Sequence, residues 1–347
     1  MRVLLDTTYA LRGPSGTGVY IERLSAALRA EGIDVVEAAD EGRPPPAGGG
    51  VGSARNLARD VWWTQVGLPE RARAARADVI HHPLPAHAQR APCPQVVTVH
   101  DLAFERLPDC FRPAFRRWAS LTHRRAARAA DAVVCVSQTT RRDAMARWGL
   151  DAARIVVAPH GPGQEPSASG APAATPRHFL YVGDDEPRKN LGLLIAAHGR
   201  YSQAVGVGAL DLVLAGGAGA AGPWTGPPGT RWERAPDIGA LLEGAAALVH
   251  PALHEGFGLT ALEAMHAGVP VIAARSPGLS ETCAEAALYV DPDDAEGFAH
   301  ALARVAADPA LRATLAAAGR ERAAAFSWQA SARAHIGAYT LAACPPP

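Results

Sequence analysis

The sequence predicts an α/β protein made of two successive halves, each a mainly parallel sheet flanked by helices. Three observations carry this. Short apolar runs alternate with helix-like stretches along the chain, the pattern of repeated strand–helix–strand units. The alternation breaks at residues 161–176, GPGQEPSASGAPAATP, which has linker composition, and restarts at His178. At 347 residues the chain is long enough to bury two cores of ordinary size.

In order, residues 2–6 form a first strand, followed by a loop with Gly13, Gly16 and Gly18. A helix over Tyr20–Ala30 is stopped by Gly32, and Ile33–Ala38 is a second strand. Residues 42–52 are rich in Gly and Pro and read as a surface loop. Arg55–Ala75 looks helical; Asp78–His82 and Gln95–His100 are apolar strands, the second ending at His100-Asp101. A basic helix covers about 112–129, then come the strand Ala132–Ser137, the helix Gln138–Trp148 and the strand Arg154–Ala158. After the linker the strands are His178–Val182, Leu210–Ala215, Ala246–Pro251 and Val269–Ala274, with a helix at Leu191–His198. The division is 1–165, a linker at 166–176, a second domain at 177–328 and a C-terminal helix within 329–347.

Charge narrows the function. Lys+Arg and Asp+Glu are equal at 34 each, with no clustered basic footprint, which argues against a nucleic-acid binder. Five cysteines without a CxxC read as free thiols in a reducing cytoplasm. No run approaches bilayer length, and the opening MRVLLDTTYALRG reads as a strand rather than a signal peptide.

Residues 248–274, LVHPALHEGFGLTALEAMHAGVPVIAA, are the most informative stretch. They read as strand, glycine turn, helix, strand. Glu255 lies in the turn with Gly256, Phe257 and Gly258; Leu259 opens the helix and Glu263 sits about one turn inside it. N–H groups at a helix start favour a phosphate or another anionic group. Two carboxylates offer only acceptor oxygens, which suits a hydroxyl-rich ligand such as ribose or a hexose. By spacing alone, Thr260 and Glu263 could equally form a capping box.

The chain's one lysine, Lys189, stands in LYVGDDEPRKN (180–190), after a strand and before a helix. Lysine offers a compact charge to a phosphate oxygen and Arg188 a bidentate fork. The alternative is a surface basic pair beside Asp184, Asp185 and Glu186.

The two segments together resemble the retaining GT-B glycosyltransferases, especially glycosyltransferase family 4. The likeness lies in the E-x7-E pair with its Gly-Phe-Gly turn, Glu-Ala-Met at 263–265, Gly-Val-Pro-Val at 268–271 and P-R-K-N-L at 187–191. It implies a GT-B fold, two Rossmann-like domains facing a central cleft, with the final helix, about Ala330–Ala342, crossing back to the first domain. It implies a nucleoside diphosphate sugar donor on the second domain. Lys189 and Arg188 then meet the diphosphate, Glu263 the ribose, and Glu255 with the backbone of Gly256–Leu259 the sugar. One departure concerns Arg188: many members carry arginine just after the strand glycine, where this chain has Asp184. The resemblance also implies retention of configuration and no divalent metal or other cofactor.

In the first half, Gly16-Thr17-Gly18 offers close backbone approach at a helix start. Similar enzymes have a glycine loop here, facing donor phosphates or acceptor. Val-Thr-Val-His-Asp-Leu at 97–102 resembles the family's first-domain histidine motif, which puts His100 near the transferred sugar and Asp101 beside it or on the acceptor side. His254 reads as a wall residue. His81, His82 and His87, in a Pro-rich context, read as loop rather than a metal site. Gly217 to Gly222 matches G-x-G-x-x-G, but Pro223, Pro227 and Pro228 forbid the helix that motif must open, so it reads as a loop and not as an NAD site. The following segment, 231–238, lies where related enzymes hold the base.

The expected function is a retaining, metal-independent hexosyltransferase acting on a hydroxyl acceptor, with GDP-mannose slightly favoured. The alternatives are an NAD-dependent oxidoreductase and a non-catalytic nucleotide- or carbohydrate-binding subunit. The basic helix at 112–128, with Phe111, Phe115 and Trp118, is either a solvated face or a peripheral contact with the inner membrane. The expected location is the cytoplasm.

Overall fold

A computed structural model describes residues 1–12, 15–42, 50–163, 175–216, 224–234 and 237–344. Gly13, most of the 42–52 loop, nearly all of the linker and the glycine motif at 217–222 lie outside the described residues. The chain forms two compact units: residues 1–105, 113–161 and 327–347, and residues 106–112 with 162–326.

The first unit is a six-stranded parallel sheet. Its strands are β1 (Arg2–Asp6), β2 (Asp34–Ala38), β3 (Val79–His82), β4 (Gln95–Val99), β5 (Ala132–Cys135) and β6 (Ile155–Val157), in the order β2-β1-β3-β4-β5-β6. The second contains β7 (His178–Val182), β8 (Asp211–Ala215), β9 (Thr230–Glu233), β10 (Ala245–His250), β11 (Val271–Ala274) and β12 (Ala287–Val290), in the order β12-β11-β10-β7-β8-β9. Every strand pair is parallel. Parallel strands are covered on both faces, which is why β4, β5 and β10 are buried along their whole length.

The second sheet has doubly wound order, its direction of winding reversing between β7 and β10. Ligands of such sheets bind in the crevice beyond the carboxyl ends of the strands at that reversal. The core beneath it packs Phe179, Tyr181, Tyr201, Leu212, Val249 and Phe298. In the first unit the helix Gly16–Ala30 and the final helix Trp328–Ala343 share a core with the sheet, through Tyr20, Leu24, Val96, Val134, Trp328 and Tyr339. Burying one such side chain is worth about 1.5–3 kcal/mol. Ser15 and Ser327 cap these two helices, accepting from the N–H of Gly18 and Ala330 respectively.

Three expectations need revision. The helix expected over Arg55–Ala75 is two helices, Gly50–Trp62 and Leu68–Ala75, joined by a π-helical turn at Trp63–Gly67. Pro69 has no N–H and its ring crowds the carbonyl one turn back, which accounts for the widened turn. Strands β9 and β12 and the helices Ala295–Ala307 and Pro309–Ala323 are additional. His81 and His82 end β3, within the strand expected at Asp78–His82, and are buried, so the loop reading given to them beside His87 does not hold. Among the described residues, no helix is long and apolar enough to cross a membrane.

Candidate active site

In the second unit, the carboxyl ends of β7 and β10 bring Arg188, Lys189 and Glu255 together. A single 3-10 turn, Pro187–Lys189, follows the loop after β7. Its backbone is tied to the segment after β10, where Leu253 N–H donates to the Arg188 carbonyl at 2.9 Å. Asn190 completes the joint. Its φ of 58° is in the left-handed region, which asparagine tolerates, and its side-chain amide donates to the carbonyls of Pro251 (3.3 Å) and Pro292 (2.7 Å). One residue thus fixes the segments leaving β7, β10 and β12.

Lys189 Nζ donates to Glu255 Oε1 at 2.5 Å. Arg188 lies 3.5 Å from the same oxygen and pairs with Glu186 at 2.8 Å. His250, the last residue of β10, has Nε2 3.8 Å from it. Lys189 and Arg188 are therefore not a loose surface pair: their side chains are only 15% and 18% exposed. Burial alone would push the Glu255 carboxyl up, but Lys189, His250 and Arg188 outweigh it and bring its pKa down to about 2. Burial moves His250 the other way, to about 4, against the pull of Glu255.

The turn after Glu255 is shaped by two glycines. Gly258 has φ 92° and is the N-cap of the helix Leu259–His266, and a Cβ there would lie 2.6 Å from Leu279. The helix therefore starts at the glycine, and Thr260 does not form the capping box with Glu263 that its spacing allows. Gly278 packs directly on the backbone of Glu255, and a Cβ on it would overlap the Glu255 carbonyl. The Thr282 hydroxyl donates to the Phe257 carbonyl and holds the turn from the same side. Glu263 is buried in the first turns of the helix, and His254 is buried beside Glu255 in the chain.

In the first unit, His100 follows β4. Its Nε2–H donates to the Pro83 carbonyl at 2.9 Å, which leaves Nδ1 as an acceptor. Asp101 does not orient it: Asp101 Oδ1 accepts from Ala103 N–H at 2.9 Å and starts a short helix. Gly16 is exposed, but Gly18 is buried and its N–H is already taken by the Ser15 hydroxyl, which narrows what Gly18 can offer a ligand. Beneath these residues lies a polar cluster. Tyr20 Oη is 2.8 Å from Thr98 Oγ1 and 2.9 Å from His335 Nε2. His81 reaches Thr98 at 2.9 Å through Nε2 and Tyr339 at 2.8 Å through Nδ1. His100 and His160 pack against the Tyr20 ring at 4.9 and 5.0 Å. His82 and His87 do not converge on a metal-like centre; they flank the Gln95 amide at 3.0 Å each.

Sequence reasoning missed His250, Asn190, Gly278 and, in this cluster, the roles of Tyr20, Tyr339, His160 and His335. For His250 a signal was present: it is the one polar residue closing an otherwise apolar strand.

Two family models match. "Glycosyltransferase Family 4" covers residues 14–162 and "Glycosyl transferases group 1" covers 176–308. The chain is 29% identical over 294 residues to O-antigen chain mannosyltransferase B of Escherichia coli, covering 76% of this chain and 74% of that one. It is also 29% identical to the glycogen synthase of Mycobacterium tuberculosis, over 97% of this chain and 87% of that one. Among solved structures, sucrose-phosphate synthase from Thermosynechococcus elongatus shares the fold with TM-score 0.76 at 23% identity, covering 98% of both chains. Anabaena HepE, solved in complex with UDP-glucose, does so with TM-score 0.70 at 17% identity, covering 98% of this chain and 99% of that one. With two parallel six-stranded units, and with both halves matched by models of one kind of enzyme, the chain belongs to the glycosyltransferases of family 4 and has the GT-B fold.

Proposed function

We propose that the enzyme transfers a hexosyl group from a nucleoside diphosphate sugar to an acceptor hydroxyl, with retention of anomeric configuration and without a divalent metal. The observation that carries this is the buried group of Lys189, Arg188 and Glu255 at the reversal between β7 and β10. Two cations are gathered where a ligand of a doubly wound sheet sits, Lys189 on the buried Glu255 and Arg188 between Glu255 and the half-exposed Glu186. The two cations complement a diphosphate, most strongly as it leaves. Glu263 holds the ribose hydroxyls, while Glu255 and the backbone from Gly256 to Leu259 hold the sugar. In the step itself the acceptor oxygen bonds to the anomeric carbon on the face that the phosphate leaves. The carbon–phosphate oxygen bond breaks, and the acceptor proton passes to the departing phosphate. The family resemblance assigns His100 to the sugar, Gly16 and Gly18 to the donor and Asp101 to the acceptor. Similarity to the E. coli mannosyltransferase favours GDP-mannose, with UDP-glucose, the ligand solved with HepE, as its competitor.

The test is turnover. With GDP-mannose and a panel of hydroxyl acceptors, GDP release is expected to depend on acceptor and to persist in excess EDTA. NMR of the product should show the donor's own anomeric configuration. Loss of activity in EDTA, or an inverted product, contradicts the reading.

The helix Pro113–Ala129 exposes Phe115, Trp118 and Leu121 beside its arginines, which fits a peripheral contact with an anionic lipid surface. Failure to sediment with phosphatidylglycerol vesicles at low salt would remove that contact.

A further inference from the structure

We propose that binding of the nucleotide sugar is coupled to the uptake of one proton by the buried pair Glu255 and His250, with His250 as the positioning partner of Glu255. The proposal rests on the donor reading above and adds a residue to it.

His250 is 3% exposed at the end of β10. Its Nδ1 is buried with no hydrogen-bond partner among the described residues, while Nε2 faces Glu255 Oε1 at 3.8 Å. A proton on Nδ1 would have no acceptor, so the neutral ring carries its proton on Nε2, pointing at the carboxylate. The groups around this pair come from three stretches. Lys189 and Arg188 come from the turn after β7. Tyr181 lies in β7 itself, its hydroxyl donating to the Asp184 carbonyl at 2.9 Å, and burial keeps it neutral. Asp184, Asp185 and Glu186 lie on the loop between, the two aspartates exposed to solvent and Glu186 paired with Arg188.

Without ligand, the single oxygen of Glu255 is shared by Lys189, Arg188 and His250. A nucleotide sugar brings two phosphate charges to the same two cations. With Glu186 counted on Arg188, the local charges balance before the ligand arrives and carry an excess of negative charge after it. One proton from solvent, taken up by Glu255 and His250, offsets half of that excess. The two groups titrate as a pair, so the proton belongs to both. Protonating the ring adds the second N–H at Nδ1, which meets no acceptor among the described residues, a cost set against the two phosphate charges; Glu255 then stays a carboxylate and keeps both oxygens as acceptors for sugar hydroxyls after Lys189 turns to the phosphate.

The test is titration calorimetry on the full chain with GDP-mannose and UDP-glucose, ligands with no group of their own titrating near neutrality. Each titration is run at one pH in buffers of differing ionisation enthalpy. The expected result is a heat that varies with the buffer in the sense of proton uptake. The uptake should rise toward one proton as pH falls from 8 to 6, with affinity tightening up to about tenfold per pH unit. In His250→Gln, which keeps an N–H donor but cannot titrate, the uptake falls several-fold. Glu255→Gln loses it as well and serves where the first variant does not fold. Binding with buffer-independent heat ends the proposal and leaves the donor reading standing, as does unchanged uptake in His250→Gln. If the wild type binds neither nucleotide sugar, the donor reading fails and this proposal fails with it.

Discussion

Replacing Lys189 with alanine is expected to lower kcat by about 10²–10³-fold, the usual loss on removing one fixed group that stabilises transition-state charge. The effect on stability separates this from a simple contact. Lys189 is the nearest counter-charge to Glu255, at 2.5 Å, and Glu255 is 9% exposed. Removing one member of a buried pair leaves the other charge uncompensated, at about 3–5 kcal/mol. Arg188 at 3.5 Å and His250 at 3.8 Å absorb part of this, so the lower end is expected here. The double variant Lys189→Met, Glu255→Gln then recovers most of the stability and none of the activity. Urea unfolding and initial rates on the two singles and the double check both statements. Equal stability of Lys189→Ala and wild type would show that the pair is not coupled in the fold.

The second large effect is acid lability. His81, His82, His160 and His335 are all buried, at 0–4% exposure. Burial pushes His81 and His160 well below the ordinary histidine range and brings His82 and His335 to about 4. The sign follows from linkage. These groups are neutral in the fold, while the unfolded chain protonates them below about 6.5. The unfolded state therefore binds more protons as pH falls, and stability is lost from about pH 6.5 down toward pH 4. Each histidine contributes about 1.4 kcal/mol between pH 7.5 and 5.5, so the four together remove about 5 kcal/mol. For a unit of this size that corresponds to a fall in Tm of about 10–20 °C. His335 is on the final helix, bound to Tyr20 and, through its Nδ1–H, to the Ser331 carbonyl at 2.7 Å. His81 meets Tyr339 on that helix as well. Calorimetry at the two pH values should show an early transition for the first unit, delayed in His81→Asn together with His335→Gln. A transition that does not move with pH would mean that these rings are hydrated.

Much of this protein is legible in its sequence for a physical reason. Parallel strands covered on both faces read as continuous apolar runs, so β4, β5, β7, β8 and β10 stand out. A turn that needs Gly258 at φ 92° before a helix writes its glycines into the chain. Lys189 is conspicuous because the other basic residues are arginines. What was hidden depends on residues distant in sequence. Strands β9, TRWE, and β12, ALYV, are four residues long at the sheet edges; β9 is mixed in polarity, and β12 is apolar but too short to stand out, with only its last residue buried. Gly278 matters because the Glu255 backbone passes against it, which no local pattern records. Tyr20 and His335 are 315 residues apart, and their 2.9 Å contact arises only once the final helix packs on the first sheet. The strand ending at His82 was legible, yet the prolines that follow also suggested a loop for His81 and His82. The β3 pairing with β1 and β4 overrides that local signal.

The central claim is that the crevice between β7 and β10 holds the donor diphosphate through Lys189. The measurement that tests it most directly is a thermal shift panel with GDP, UDP, dTDP and NAD on wild type and Lys189→Ala. A ligand at a hundredfold over its Kd stabilises the fold by about 2.7 kcal/mol. The expected result is that one nucleoside diphosphate raises the wild-type Tm and leaves the variant unmoved at the same concentration, naming the base. A shift with NAD alone, or an equal diphosphate shift in both proteins, would contradict the claim.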